Sequence, residues 1–139
     1  MKGEIGGFLP AGRQVKRTKT EVFGIIKVYK INKKYMIITT GEQIPGKKVV
    51  EILGISRGST VRARNVGRDI LAGLKNIVGG EISEYTKLQA ESREQAMQRM
   101  IVDAERLGAD AIISVRVNTS MIMQNASEML FYGTAVKLD

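Results

Sequence analysis

The stretch from Ser83 to Leu107 constrains this chain more than any other. Met97, Met100, Ile101, Ala104 and Leu107 recur at three- and four-residue steps, so they fall on one side of a helix. Ser83 suits the cap at its start and Gly108 the residue that ends it. A helix with one apolar stripe needs a second layer to cover that stripe, and the flanking segments supply it. Met36-Ile37-Ile38-Thr39-Thr40, Val49 to Ile55 and Ser59 to Ala63 precede the helix and read as strands. Ala111 to Val117 and Met129 to Leu138 follow it, joined through Gln124-Asn125-Ala126-Ser127 as a hairpin. A shorter helix is expected after Asn65, with Asp69 in its first turn, Ile70, Leu71, Leu74, Ile77 and Val78 at helical spacing, and Gly79-Gly80 at its end. Strands, then helices, then strands predict an α+β fold in which helices cover one face of a mostly antiparallel sheet.

The chain has 139 residues, enough for one domain that buries about two thirds of the surface its unfolded form exposes. Hydrophobic residues make up 43% and charged residues 26%, the balance of an ordinary globular protein. No run approaches the length of a membrane-spanning helix. The first ten residues lack the apolar core of a signal peptide, so a cytoplasmic setting is expected. The chain contains no cysteine and no histidine. Disulfides, Ser-His-Asp and Cys-His nucleophile systems and the usual zinc sites are thereby excluded by inventory. Any chemistry would fall to carboxylates, lysines, arginines or hydroxyls, and no spacing singles out an acid/base pair. The expectation is a protein that is not an enzyme and requires no cofactor.

The net charge of +8 is carried unevenly. Residues 1–35 hold nine Lys and Arg against two Asp and Glu, a balance of +7, and residues 36–139 are nearly neutral. Phe8, Phe23, Tyr29 and Tyr35 are interleaved with those basic groups. Such a leader suits nucleic acid or an anionic membrane surface, and the plainer reading is a solvated basic extension. Thr18-Lys19-Thr20-Glu21 fits a capping box, yet the β-branched Val22, Ile25, Ile26, Val28 and Ile31 with Gly24 among them favour a strand. Both conformations stay open, with the balance toward strand.

Four groups of residues invite a chemical reading. Gly41 to Lys48 follows a strand and matches a phosphate-binding loop until its last position, where Lys48 replaces the Ser or Thr that holds magnesium. Val49 then opens a strand rather than a helix, so Pro45-Gly46 reads as the centre of a type II turn. Arg62, Arg64 and Arg68, with Asp69, converge ahead of the short helix, where a phosphate or carboxylate would find donors; the alternative is surface charge or an ion pair between subunits. Met121, Met123 and Met129 lie on or beside the last hairpin. Thioethers hold soft Cu(I), although packing is the commoner use. Glu81, Glu84, Glu91 and Glu94 are mostly at the spacings of a solvated helix face.

Several runs together resemble the YbjQ-like family. They are Met36 to Thr40, Gly46-Lys47-Lys48-Val49-Val50, Leu53-Gly54, Arg64-Asn65, Arg68 to Leu74, Ile77 to Glu81, Leu107 to Ile112 and Gly133 to Val136. The resemblance covers residues 36–139, is most specific from Arg68 to Glu81, and leaves residues 1–35 outside as a basic N-terminal extension. It implies a dodecin-like subunit that assembles into a homopentameric ring, with an unsettled biochemical role and a heavy-metal-binding label. Without Cys or His only carboxylates and thioethers would serve as ligands, and no ligand residue is carried over from the family.

The residues themselves also point to self-association. The short strands and the Met-rich hairpin offer more apolar surface than one small sheet and two helices would cover. The expected function is a non-catalytic homo-oligomeric binding or scaffold protein with a small ligand between protomers. Metal binding, and nucleic-acid or membrane attachment through the leader, are the other classes.

Overall fold

The computed structural model describes residues 16–17, 26–31, 34–63, 83–123 and 126–139. In chain order the described elements are β1 (Lys16–Arg17), β2 (Ile26–Ile31), β3 (Lys34–Thr39), β4 (Val49–Ala63), α1 (Ser83–Arg106), β5 (Ala111–Met123) and β6 (Ala126–Leu138). The strands form one six-stranded sheet in the order β1-β2-β3-β5-β6-β4. Its pairs are antiparallel except β3 with β5. The α+β architecture expected from the sequence is the one observed, and α1 is its helix among the described residues. The short helix expected after Asn65 lies outside them.

Helix α1 ends where the sequence places its end. Gly108 has φ of 78°, and the chain closes the last turn with Gly108 N–H on Glu105 O at 2.9 Å and Ala109 N–H on Ala104 O at 3.0 Å. Those two bonds are the Schellman pair, which satisfies carbonyls that would otherwise face no donor. Met97, Met100, Ile101 and Ala104 are buried as expected, whereas Leu107, past the last turn, is exposed.

Val49–Ala63 is one strand of 15 residues, where two short strands were expected. The expected gap at residues 56–58 is not a break; the irregularity lies earlier, at the register shift between Ile52 and Gly54, where Gly54 has φ of 136°. Gly58 is glycine because α1 crosses directly over it: a Cβ there would lie 2.1 Å from Met100 N and 2.3 Å from Ala96 O. Ser56, two residues earlier on the same face, donates its hydroxyl to Met100 O at 2.6 Å. The hairpin β5–β6 is also longer than expected, with Met123 already paired to Ala126.

The segment before Met36 enters the core. β2 pairs with β3 over its whole length, and Tyr29 and Ile31 are buried with Met36, Ile38 and Met97. The Tyr29 hydroxyl donates to Met97 Sδ at 3.6 Å. The hairpin β2–β3 thus spans the boundary drawn at residue 36, and a wholly solvated leader does not describe residues 26–31. Their β-branched run pairs as a strand. The capping box at residues 18–21 lies outside the described residues.

Candidate functional site

The two faces of the sheet are covered unequally. Helix α1 seals β4 and part of β6 on one side. On the other, the 40–48 loop folds back over β3 and β5, burying Ile44 against Ala111 and Val136. That loop is held by Ser114 N–H on Gly41 O at 2.9 Å and by Arg116 Nη1 on Thr40 O at 2.9 Å. Its Pro45-Gly46 turn is closed by Lys47 N–H on Ile44 O at 3.1 Å, with Gly46 at φ 74°. These are the marks of a type II turn. A strand follows directly, so the loop lacks the helix N-terminus that a phosphate loop uses.

Beyond Ile44, apolar side chains of the open face are exposed. Ile52, Ile55 and Val61 of β4 are 70%, 73% and 56% exposed, and Tyr132 of the adjacent β6 is 40% exposed. Register explains their common side: Ile52 pairs with the buried Val136, the register shift between Ile52 and Gly54 brings Ile55 onto that face opposite Thr134, and Arg57 and Val61 follow with the alternation of an extended strand. On the helix side a second apolar patch remains at the far end of β5, where Val117 and Met121 lie outside the cover of α1.

β4 is also a sheet edge, and α1 blunts its middle. Arg57 N–H donates to Asp103 Oδ2 at 3.0 Å, and Arg99 Nη1 donates to Ser59 O at 2.5 Å. Outward-pointing strand groups that would otherwise template another strand are thereby occupied at residues 57–59.

Of the residues singled out for an anion, Arg62 lies on the helix-side face of β4, and its Nη2 donates to Gln95 Oε1 at 3.3 Å. Arg64, Arg68 and Asp69 lie outside the described residues. The neighbour the sequence did not reveal is Arg99, one turn from Gln95 on α1. Its signal was its place beside Ala96 and Met100, at the border of the apolar stripe.

The three methionines do not converge. Met121 pairs with Ser127 and Met129 with Thr119, so both face the helix side; Met129 is buried there and Met121 is 78% exposed. A register shift between Met121 and Met123 sets Met123 opposite Ala126 and turns it to the other face. Among the described residues no three His, Cys, Asp or Glu gather as metal ligands. The donors among the described residues therefore do not form a heavy-metal centre.

One carboxylate is well tied into the fold. Asp110, just after α1, lies 2.6 Å from Lys34 Nζ and 3.9 Å from Lys137 Nζ, and accepts Leu138 N–H at 3.0 Å. Partial burial raises its pKa, but the Lys34 and Leu138 hydrogen bonds and the two lysine charges together bring it below the ordinary aspartate value. The contact fastens β3 and the C-terminal strand to the end of the helix. No helix among the described residues is long and apolar enough to cross a membrane.

Residues 36–139 match the family model described as "Putative heavy-metal-binding". A UPF0145 protein of Archaeoglobus fulgidus is 58% identical over 105 residues, covering 76% of this chain and 97% of that one. A UPF0145 protein of Methanosarcina acetivorans is 52% identical over 74% of this chain and 97% of its own length. A crystal structure of a protein of unknown function from Pediococcus pentosaceus, of the DUF74 family, is similar in fold. Its TM-score is 0.54 at 18% identity, covering 75% of this chain and 98% of that chain. The match begins at Met36, so β1 and β2 lie before it.

Proposed function

Because this chain belongs to the YbjQ-like family, whose relatives above bear names without an activity, we propose that it is a non-catalytic subunit that assembles with copies of itself. The observation that carries this reading is the bare apolar row of Ile52, Ile55 and Val61 beside Tyr132. Singly exposed apolar residues need no explanation; three from one strand and a tyrosine from its neighbour, all on one face, do.

A second copy of this chain is the occupant these surfaces favour. Two different apolar patches, one on the open face and one around Val117 and Met121 on the helix side, are what a head-to-tail contact requires. Contacts of that kind close into rings when the rotation allows. The near neutrality of residues 36–139 means that stacking bodies does not oppose strong like charge. The pentameric ring implied by the family resemblance is the expected closure, with grooves between protomers as the place for a small ligand.

Native mass spectrometry and light scattering of the full chain test this. The expected mass is five protomers, and the double variant I52E/I55E should run as a monomer with unchanged far-ultraviolet circular dichroism. A folded wild-type monomer at micromolar concentration would refute the assembly.

A further inference from the structure

Arg62 of β4 and Arg99 of α1 both reach the seam between strand and helix. Arg62 is joined to Gln95 and Arg99 to the Ser59 carbonyl. Among the described residues neither guanidinium forms an ion pair. Burial and then the Arg62 charge push the Arg99 guanidinium below its ordinary pKa, which places the two cations within each other's field.

The same seam holds donors with nothing to donate to. Nε of Arg62, Nε of Arg99 and Oγ1 of Thr60 are buried and lack a hydrogen-bond partner. Thr60 is 2% exposed and stands two residues before Arg62 on the same strand face. Like charges drawn partly out of water beside unsatisfied donors are costly unless an anion joins them.

We propose that this seam seats a small oxyanion, a phosphate or carboxylate group, bridged by the guanidinium groups of Arg62 and Arg99. The remaining terminal nitrogen of each arginine supplies charge-assisted donors in the planar geometry that oxyanions match. The Gln95 side chain, whose Oε1 accepts from Arg62, keeps its amide hydrogens for the same ligand. Thr60 lies beneath them as a further donor. The seat comprises residues of one protomer, so it goes beyond the assembly reading and does not depend on it.

The test is calorimetry on the full chain with inorganic phosphate in one arm and succinate in the other, at fixed ionic strength in chloride. Each of R62Q and R99Q should weaken the binding about tenfold or more, and R62K and R99K should retain part of it because they keep charge and lose the fork. Heat from phosphate alone identifies a phosphate seat and heat from succinate alone a carboxylate seat. Thermal melts without added anion check that each variant folds; if a Gln variant does not, its Lys counterpart is read instead. Phosphate or succinate should raise the wild-type melting temperature and leave R62Q and R99Q unmoved. No heat from either anion overturns the proposal, and so does heat that survives in both Gln variants, which would place binding on the basic leader. Light scattering on the same samples separates a third result: variants that lose assembly while anion heat stays absent would show a neighbouring copy's carboxylate in the seat, and the proposal falls while the assembly stands.

Discussion

Replacing Gly58 by alanine should loosen the layer between α1 and β4. The new Cβ would stand 2.1 Å from Met100 N, 2.3 Å from Ala96 O and 2.7 Å from the Arg99 carbonyl carbon, and all three are backbone atoms. Ordinary contact is about 3.5 Å, so the helix must withdraw by roughly 1.4 Å. At that separation the Ser56–Met100 bond, now 2.6 Å, is lost, a cost of about 1 kcal/mol. Overpacking adds about 1–3 kcal/mol, and the lower chain entropy of alanine returns about 0.5–1 kcal/mol. The balance is about 1–3.5 kcal/mol of destabilisation, or a fall in Tm of roughly 2–14 °C for a domain near this size. Thermal and urea unfolding by circular dichroism, at one protomer concentration because assembly raises apparent stability, measures it. G41A is the control, since its Cβ would meet Thr39 Oγ1 at 3.4 Å and Gln43 O at 3.6 Å, which is ordinary contact. A G58A melt that coincides with wild type, or with G41A, would refute the close crossing of helix and strand.

Three further outcomes follow from the same contacts. Y29A should cost about 3–5 kcal/mol in urea unfolding, because it empties a fully buried ring site in the core; a loss under about 1 kcal/mol would return residues 26–31 to the status of a solvated leader. Asp110 has a depressed carboxyl pKa, so its stabilisation is complete above the ordinary aspartate value and fades as pH falls through the lower folded value. D110N should therefore melt below wild type near neutrality and converge with it in acid, by no more than about 1 kcal/mol since the ion pairs are partly solvated. D103A frees the Arg57 N–H on the edge strand and should raise light scattering on incubation; scattering equal to wild type would mean that Asp103 does not guard the edge.

The elements legible in the sequence were those whose signals are local. The helix carried its own period and its stop at Gly108, and the Pro45-Gly46 turn needed only the φ preferences of two residues. What the sequence concealed were features set by residues far apart in the chain. Gly58 reads as a breaker until α1 is seen crossing it, and the two expected strands merge because the strand continues beneath the helix. The partnership of Arg62 with Gln95 and Arg99 joins residues more than thirty positions apart, which no motif spacing reports. Met121 and Met123 alternate with a register shift between them, and that shift, invisible in a period-two pattern, sends them to opposite faces.

The way α1 treats the β4 edge bears on how copies of this chain would meet. A 15-residue edge strand is by default a site for strand addition, and residues 57–59 are where it would be most central. Asp103 accepts the Arg57 N–H and Arg99 donates to the Ser59 carbonyl, so a neighbouring strand would have to displace two side-chain bonds, one from each charged group. Displacing Arg99 would also release a partly buried cation beside Arg62. The apolar side chains on either face carry no such obstacle: Ile52, Ile55 and Val61 on one side and Val117 and Met121 on the other gain by leaving water, at about 25 cal/mol for each Å² buried. Association through faces rather than through the edge is therefore the route of lower cost, and it leaves the seam between Arg62 and Arg99 available to a small anion.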